Sequence, residues 1–120
     1  LVLEKLKEQI TKLIFNLIKE LMYMKKAYWV GIVNVKNHDE YKKYTDIAGP
    51  ALISAGAKIL SRGGKIINLE GKEMNRLVVI EFPSMENAES FYNSDEYKRG
   101  LKYLNNNVCD RFLNIAEGLV

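Results

Sequence analysis

The chain has 120 residues, 48% hydrophobic and 28% charged, which fits one soluble globular domain with a real core. Its formal charge of +3 sits in residues 1–26, where six lysines meet three glutamates. Acids and bases balance in the rest, which excludes the basic footprint of a nucleic-acid binder.

Residues 2–23 carry Leu3, Leu6, Ile10, Leu13, Leu17 and Leu21 at steps of three and four, one face of an amphipathic helix. Ile14, Phe15, Ile18 and Met22 widen that face. Lys12, Lys19 and Glu20 interrupt it well short of the ~20 apolar residues that a membrane span needs. No small-residue cleavage site follows, so a signal peptide is not expected. Three coverings remain open for the stripe: its own domain or a second copy, a membrane surface, or a coiled-coil partner. Residues 1–23 are read as an extension and 24–120 as the globular domain.

Ala27–Lys36 alternates as a strand, with Tyr28, Val30 and Ile32 on one face and Trp29, Val33 and Val35 on the other. Both faces are apolar, so both need a cover. Asn37 is a helix N-cap with Glu40 as its capping-box partner. The helix runs on through Tyr41, Tyr44, Ala48 and Leu52; Pro50 is expected to kink or interrupt it and Gly56 to stop it.

Ala57–Gly71 reads as a bent β-ribbon, with Ile59 and Leu60 in one arm, Ile66, Ile67 and Leu69 in the other, and Gly63-Gly64 between. Arg76–Phe82 is the next strand. Val78, Ile80 and Phe82 share a face, and Glu81 on the other needs a partner, with Arg62 or Arg76 as candidates. Ser84 and Ser94 cap two short helices. Asn105-Asn106-Asn107 ends the second, because Asn tolerates left-handed backbone. Arg111–Glu117 is the last strand. The order β-α-β-β-α-α-β describes an α+β ferredoxin-like sandwich with a four-stranded antiparallel sheet. Its helix-free face is apolar, and a second copy would cover it.

No metal site is expected, because His38 is the only histidine and Cys109 the only cysteine. Cys109 permits no internal disulfide and fits a reducing, cytoplasmic setting. No nucleophile elbow or phosphate loop is present, and no cofactor is implied.

Several blocks carry a family likeness: Tyr28-Trp29-Val30, Gly49-Pro50-Ala51, Leu60-Ser61-Arg62-Gly63-Gly64, Leu69-Glu70-Gly71, Val79-Ile80-Glu81-Phe82-Pro83-Ser84, Phe91-Tyr92-Asn93-Ser94, Glu96-Tyr97 and Glu117-Gly118. Over Met24–Gly118 the chain resembles the domain of unknown function 1330 family, within the dimeric α/β-barrel superfamily. The resemblance implies a ferredoxin-like protomer, a homodimer and a small cleft beside the sheet. It implies no settled activity. Relatives often carry an Arg near the position of Leu104; if that Arg grips an anionic ligand in them, this chain has lost the grip. By analogy with the superfamily, Trp29, Tyr44, Arg62, Tyr92 and Tyr97 are candidate ligand contacts, and Glu81 and His38 candidate catalytic groups. Arg62 would hold an acidic group and Glu81 would move a proton.

Two readings follow. One is a homodimeric small-molecule-binding protein, extended by the superfamily to cofactor-independent oxygenase or isomerase chemistry. The other is a non-catalytic assembly protein that oligomerises through the sheet face and residues 1–23.

Overall fold

The computed structural model describes residues 1–120, the side chain of Tyr23 excepted. Helix α1 spans Val2–Tyr23, as its periodicity requires. Its apolar stripe stays exposed, with Leu3, Leu13 and Phe15 each about two-thirds accessible.

Strand β1 (Ala27–Val35) is followed by α2 (His38–Ser54). Asn37 caps α2 by accepting a hydrogen bond from Glu40 N, but the capping box is only half made. Asn37 N donates to Val108 O, and the Glu40 carboxylate pairs with Lys43. Pro50 neither stops nor divides α2. One lost backbone bond costs less than the packing of Ala48 and Leu52 on either side of it contributes. The helix ends in a Schellman turn. Gly56, at φ +81°, donates to Ile53 O, and Ala57 N donates to Leu52 O.

Strand β2 (Lys58–Arg62) is the only arm of the expected ribbon that pairs. Residues 65–69 form no strand, and Ile67 and Leu69 are exposed. β2 pairs with β3 (Arg76–Phe82), which also borders β1, and the outer edge of β2 stays open. The loop instead closes on Asn68, whose side chain bonds both backbone groups of Met74. Asn75 then reaches across to Val35, accepting from its N–H and donating to its carbonyl, which fixes where β3 begins.

Helices α3 (Met85–Tyr92) and α4 (Asp95–Leu101) are capped by Ser84 and Ser94. A single 3₁₀ turn, Lys102–Leu104, and left-handed Asn106 and Asn107 lead into β4 (Cys109–Glu117), two residues earlier than expected. The antiparallel sheet has the order β2-β3-β1-β4, with β1 at its centre. The fold is the expected α+β ferredoxin-like sandwich.

One sheet face packs under the helices. Trp29 sits there among Phe82, Phe91 and Tyr97, with ring centroids 5.1–5.8 Å apart. The other face carries Tyr28, Val30, Ile32, Val79 and Phe112, and α1 does not cover it; Phe112 is 66% exposed. Glu81 lies on this outer face. Its partners are Lys26, at 3.5 Å, and the Tyr28 hydroxyl, which donates at 3.3 Å. Neither Arg62 nor Arg76 reaches it, because strand alternation puts both on the helix side.

Candidate functional site

A slot opens between α2 and the helix-side face of the sheet. Tyr41, Tyr44, Ala48 and Gly49 form its α2 wall, and Trp29, Gly31, Val33 and Val78 its floor. It is narrow, with a cavity volume of about 40 Å³ behind an open mouth. Gly31 keeps the floor bare. A Cβ there would lie 3.4 Å from Leu113 Cδ1 and 3.8 Å from Val78 Cβ. Gly49 clears the wall opposite Arg62, whose Nη1 would lie 3.5 Å from a Cβ at that position.

Three arginines from three strands meet in this slot: Arg62, Arg76 and Arg111. Register explains the convergence. Val33 on β1 stands opposite Arg76 on β3 and Arg111 on β4, and Arg62 stands opposite Val78. No Asp, Glu or His lines the slot, and none of the three arginines joins an ion pair among the described residues. Arg62 is exposed, but Arg76 and Arg111 are half-buried, and half-buried charge of one sign without an ion pair is costly unless something meets it.

Arg111 is anchored from behind. Its Nη1 donates to Tyr44 Oη at 2.9 Å, its Nη2 to Tyr97 Oη at 3.0 Å, and the two phenol oxygens lie 2.7 Å apart. Arg76 lies with Cζ 5.0 Å from the centre of the Tyr41 ring, a cation–π contact, and its Nε is buried without a hydrogen-bond partner. Burial pushes the Tyr41 phenol up to about 12, against the pull of Arg76. Burial likewise raises Tyr97, with Arg111 opposing. Burial alone would weaken the Arg111 guanidinium, but the neighbouring phenols Tyr44 and Tyr97 outweigh it and hold the charge more firmly. At neutral pH Tyr41 and Tyr97 therefore keep their protons and Arg111 keeps its charge.

The structure gathers some of the sequence candidates and disperses others. Trp29, Tyr44 and Arg62 line the slot. Tyr97 stands immediately behind it, fully buried, bonded to Tyr44. Tyr92 packs on Trp29 and Tyr97 at the far end of α3 and does not line the slot. His38 is exposed at the start of α2, away from it. Glu81 is on the opposite side of the sheet. The arginines that sequence reasoning passed over, Arg76 and Arg111, had one usable signal. Each has the strand parity of the residues that face the helices.

The chain matches the family described as a domain of unknown function (DUF1330) over residues 26–119. No curated protein matches it. Among solved structures it is similar to a Rhodopseudomonas palustris protein of unknown function, at 15% identity and TM-score 0.58 over 88% of this chain and 93% of that one. It is also similar to a dimeric ferredoxin-like protein of unknown function from Bacteroides fragilis, at 14% identity and TM-score 0.52 over 78% and 96%. A third, a dimeric ferredoxin-like protein from Thermobifida fusca, matches at 9% identity and TM-score 0.51 over 80% and 93%. At these identities the likeness is one of fold. The family match spans most of the chain and agrees with the architecture described above, and the protein belongs to the domain of unknown function 1330 family.

Proposed function

We propose that this protein is a homodimeric small-molecule-binding protein whose ligand occupies the slot between α2 and the sheet. One observation carries the reading: an apolar slot receives three arginines and no carboxylate. Such a site is complete only with an anionic guest. The dimer reading is supported by the uncovered apolar sheet face and by the dimeric character of proteins that share the fold. Binding stands ahead of isomerase-like or oxygenase-like catalysis by proton transfer. No carboxylate, imidazole or thiol lines the slot, and Glu81 is across the sheet from it. A cytoplasmic setting belongs to the same proposal, resting on the lone free Cys109, whose thiol burial pushes up.

Native mass spectrometry of protein purified from cells tests it. The expected result is a dimer with retained small-molecule mass, lost in Gly31→Val, whose side chain fills the floor. A monomer without any adduct overturns it.

A second reading, assembly, is favoured by the exposed stripe of α1. Removing residues 1–23 and measuring oligomer size by light scattering tests it. The expected result is a fall to the dimer; an unchanged size removes α1 from assembly. In the described chain no helix is long and apolar enough to cross a membrane.

A further inference from the structure

Hydrogen bonds in the slot can be counted, and the count is one-sided. Arginine donates and never accepts. Arg111 therefore supplies protons to both Tyr44 Oη and Tyr97 Oη. The two phenols share one further hydrogen bond, at 2.7 Å, so one of them must donate to the other. Tyr97 is completely buried and does not line the slot, and the Tyr44 oxygen is the acceptor within its reach. Tyr97 is thus the donor. Tyr44 Oη then accepts from Arg111 and from Tyr97, and its own proton remains unused. Tyr44 lines the slot. Arg76 also lines the slot, and its buried Nε–H has no partner within the protein.

Resting on the binding reading above, we infer that the ligand is an organic acid: an apolar body ending in a carboxylate that accepts from the Tyr44 hydroxyl and from the arginines. The donors Tyr44, Arg62, Arg76 and Arg111 ask for a group that only accepts, and a carboxylate is such a group. Its plane matches the fork of a guanidinium. Thr45 aside, whose hydroxyl donates to Lys42 O, the rest of the lining is aliphatic and aromatic, with Gly31 bare beneath it, which suits a flat or narrow apolar body. Phosphate is the poorer fit, because no glycine-rich run of backbone N–H groups faces the slot. Tyr97 is a positioning residue: by donating to Tyr44 it turns the Tyr44 proton toward the ligand.

The test uses the full chain and five probes: phenylacetate, hexanoate, their primary amides and inorganic phosphate. Trp29, the one tryptophan, forms part of the slot floor, so its fluorescence reports occupancy, with calorimetry as a check. The acids are expected to bind at least roughly tenfold tighter than the matched amides. Tyr44→Phe and Arg76→Gln should each weaken the acids roughly ten- to hundredfold and leave the amides unchanged. Tyr97→Phe should lower the ratio of acid to amide affinity without moving the amide, which a merely structural role would not do. Amides that bind as well as acids overturn the acid assignment and leave the slot reading standing. Silence from all five probes, with no adduct in the native mass spectrum, overturns both. Phosphate that binds as tightly as the acids, and still does so in Gly31→Val, shows simple anion capture by arginine and overturns the organic body. If a variant fails to fold by circular dichroism, the acid-to-amide ratio of the unaltered protein decides alone.

Discussion

Arg76 and Arg111 flank the same residue, Val33, from the two strands that border β1, so both guanidinium groups enter the slot at one level of the sheet. Neither has a carboxylate to meet it among the described residues. On the binding reading proposed above, that symmetry about a buried valine suits a negative charge.

Filling the floor should abolish binding while sparing the fold. Gly31 is buried in the central strand, and a side chain there meets Leu113 at 3.4 Å, a contact relieved by a small rotation. Gly31→Val should fold with a melting temperature within a few degrees of the parent, since strand propensity offsets the mild crowding. The Trp29 fluorescence response to phenylacetate should disappear. A retained response would place the ligand elsewhere.

The outer sheet face should govern subunit number. Ile32 and Phe112 stand opposite each other across β1 and β4, and Phe112 is two-thirds exposed in the single chain. A charge there becomes buried and unpaired if a second sheet docks. Phe112→Asp should shift sedimentation from dimer to monomer at micromolar concentration, with the far-ultraviolet spectrum unchanged. An unaltered sedimentation coefficient argues for a different contact surface.

Two glycines should be costly to replace for different reasons. At Gly118 a Cβ would lie 2.9 Å from Tyr28 Cε2 and 3.0 Å from the Lys26 carbonyl, so Gly118→Ala forces the ring or the backbone to move. At Gly56 there is open space but φ is +81°. Urea unfolding should show a loss of about 1–3 kcal/mol for Gly118→Ala through overpacking. For Gly56→Ala it should show about 1–2 kcal/mol through left-handed backbone.

Alkaline pH should unmask Tyr41. Burial raises its folded-state value from 10.0 to about 12. Between those values the unfolded chain has released a proton that the folded chain retains, so stability present below pH 10 is lost as pH rises toward 12. The loss should be on the order of 2 kcal/mol. Urea midpoints at pH 8 and pH 11.5 should converge in Tyr41→Phe relative to the parent. Equal pH dependence in the two proteins would show that Tyr41 titrates normally.

Much of the scaffold was legible because its signals are local. The alternation of Ala27–Val35, the caps at Asn37, Ser84 and Ser94, and the stop at Gly56 each depend on neighbours a few residues away. Where signals competed, propensity alone did not decide. Pro50 was tolerated inside a well-packed helix, and Ile66–Leu69 gave way to a loop closed by Asn68 on Met74. The site was only partly legible. Tyr44 and Arg62 announce themselves as polar groups near apolar runs, but Arg76 and Arg111 matter because both border Val33, and that is a matter of cross-strand register. Glu81 illustrates the same point in reverse. Its parity places it away from the helices, and its neighbour Tyr28 is set by pairing, not by sequence distance.

The uncovered stripe of α1 has a consequence for valency. If two protomers pair through their sheets, as proposed above, each pair keeps two exposed apolar rods, one per protomer. Where the two rods clasp each other, the particle closes and stops growing. Where they clasp rods from neighbouring pairs, two unrelated twofold contacts alternate along a line and the result is an open string. The first 23 residues would thus decide between a discrete particle and a polymer.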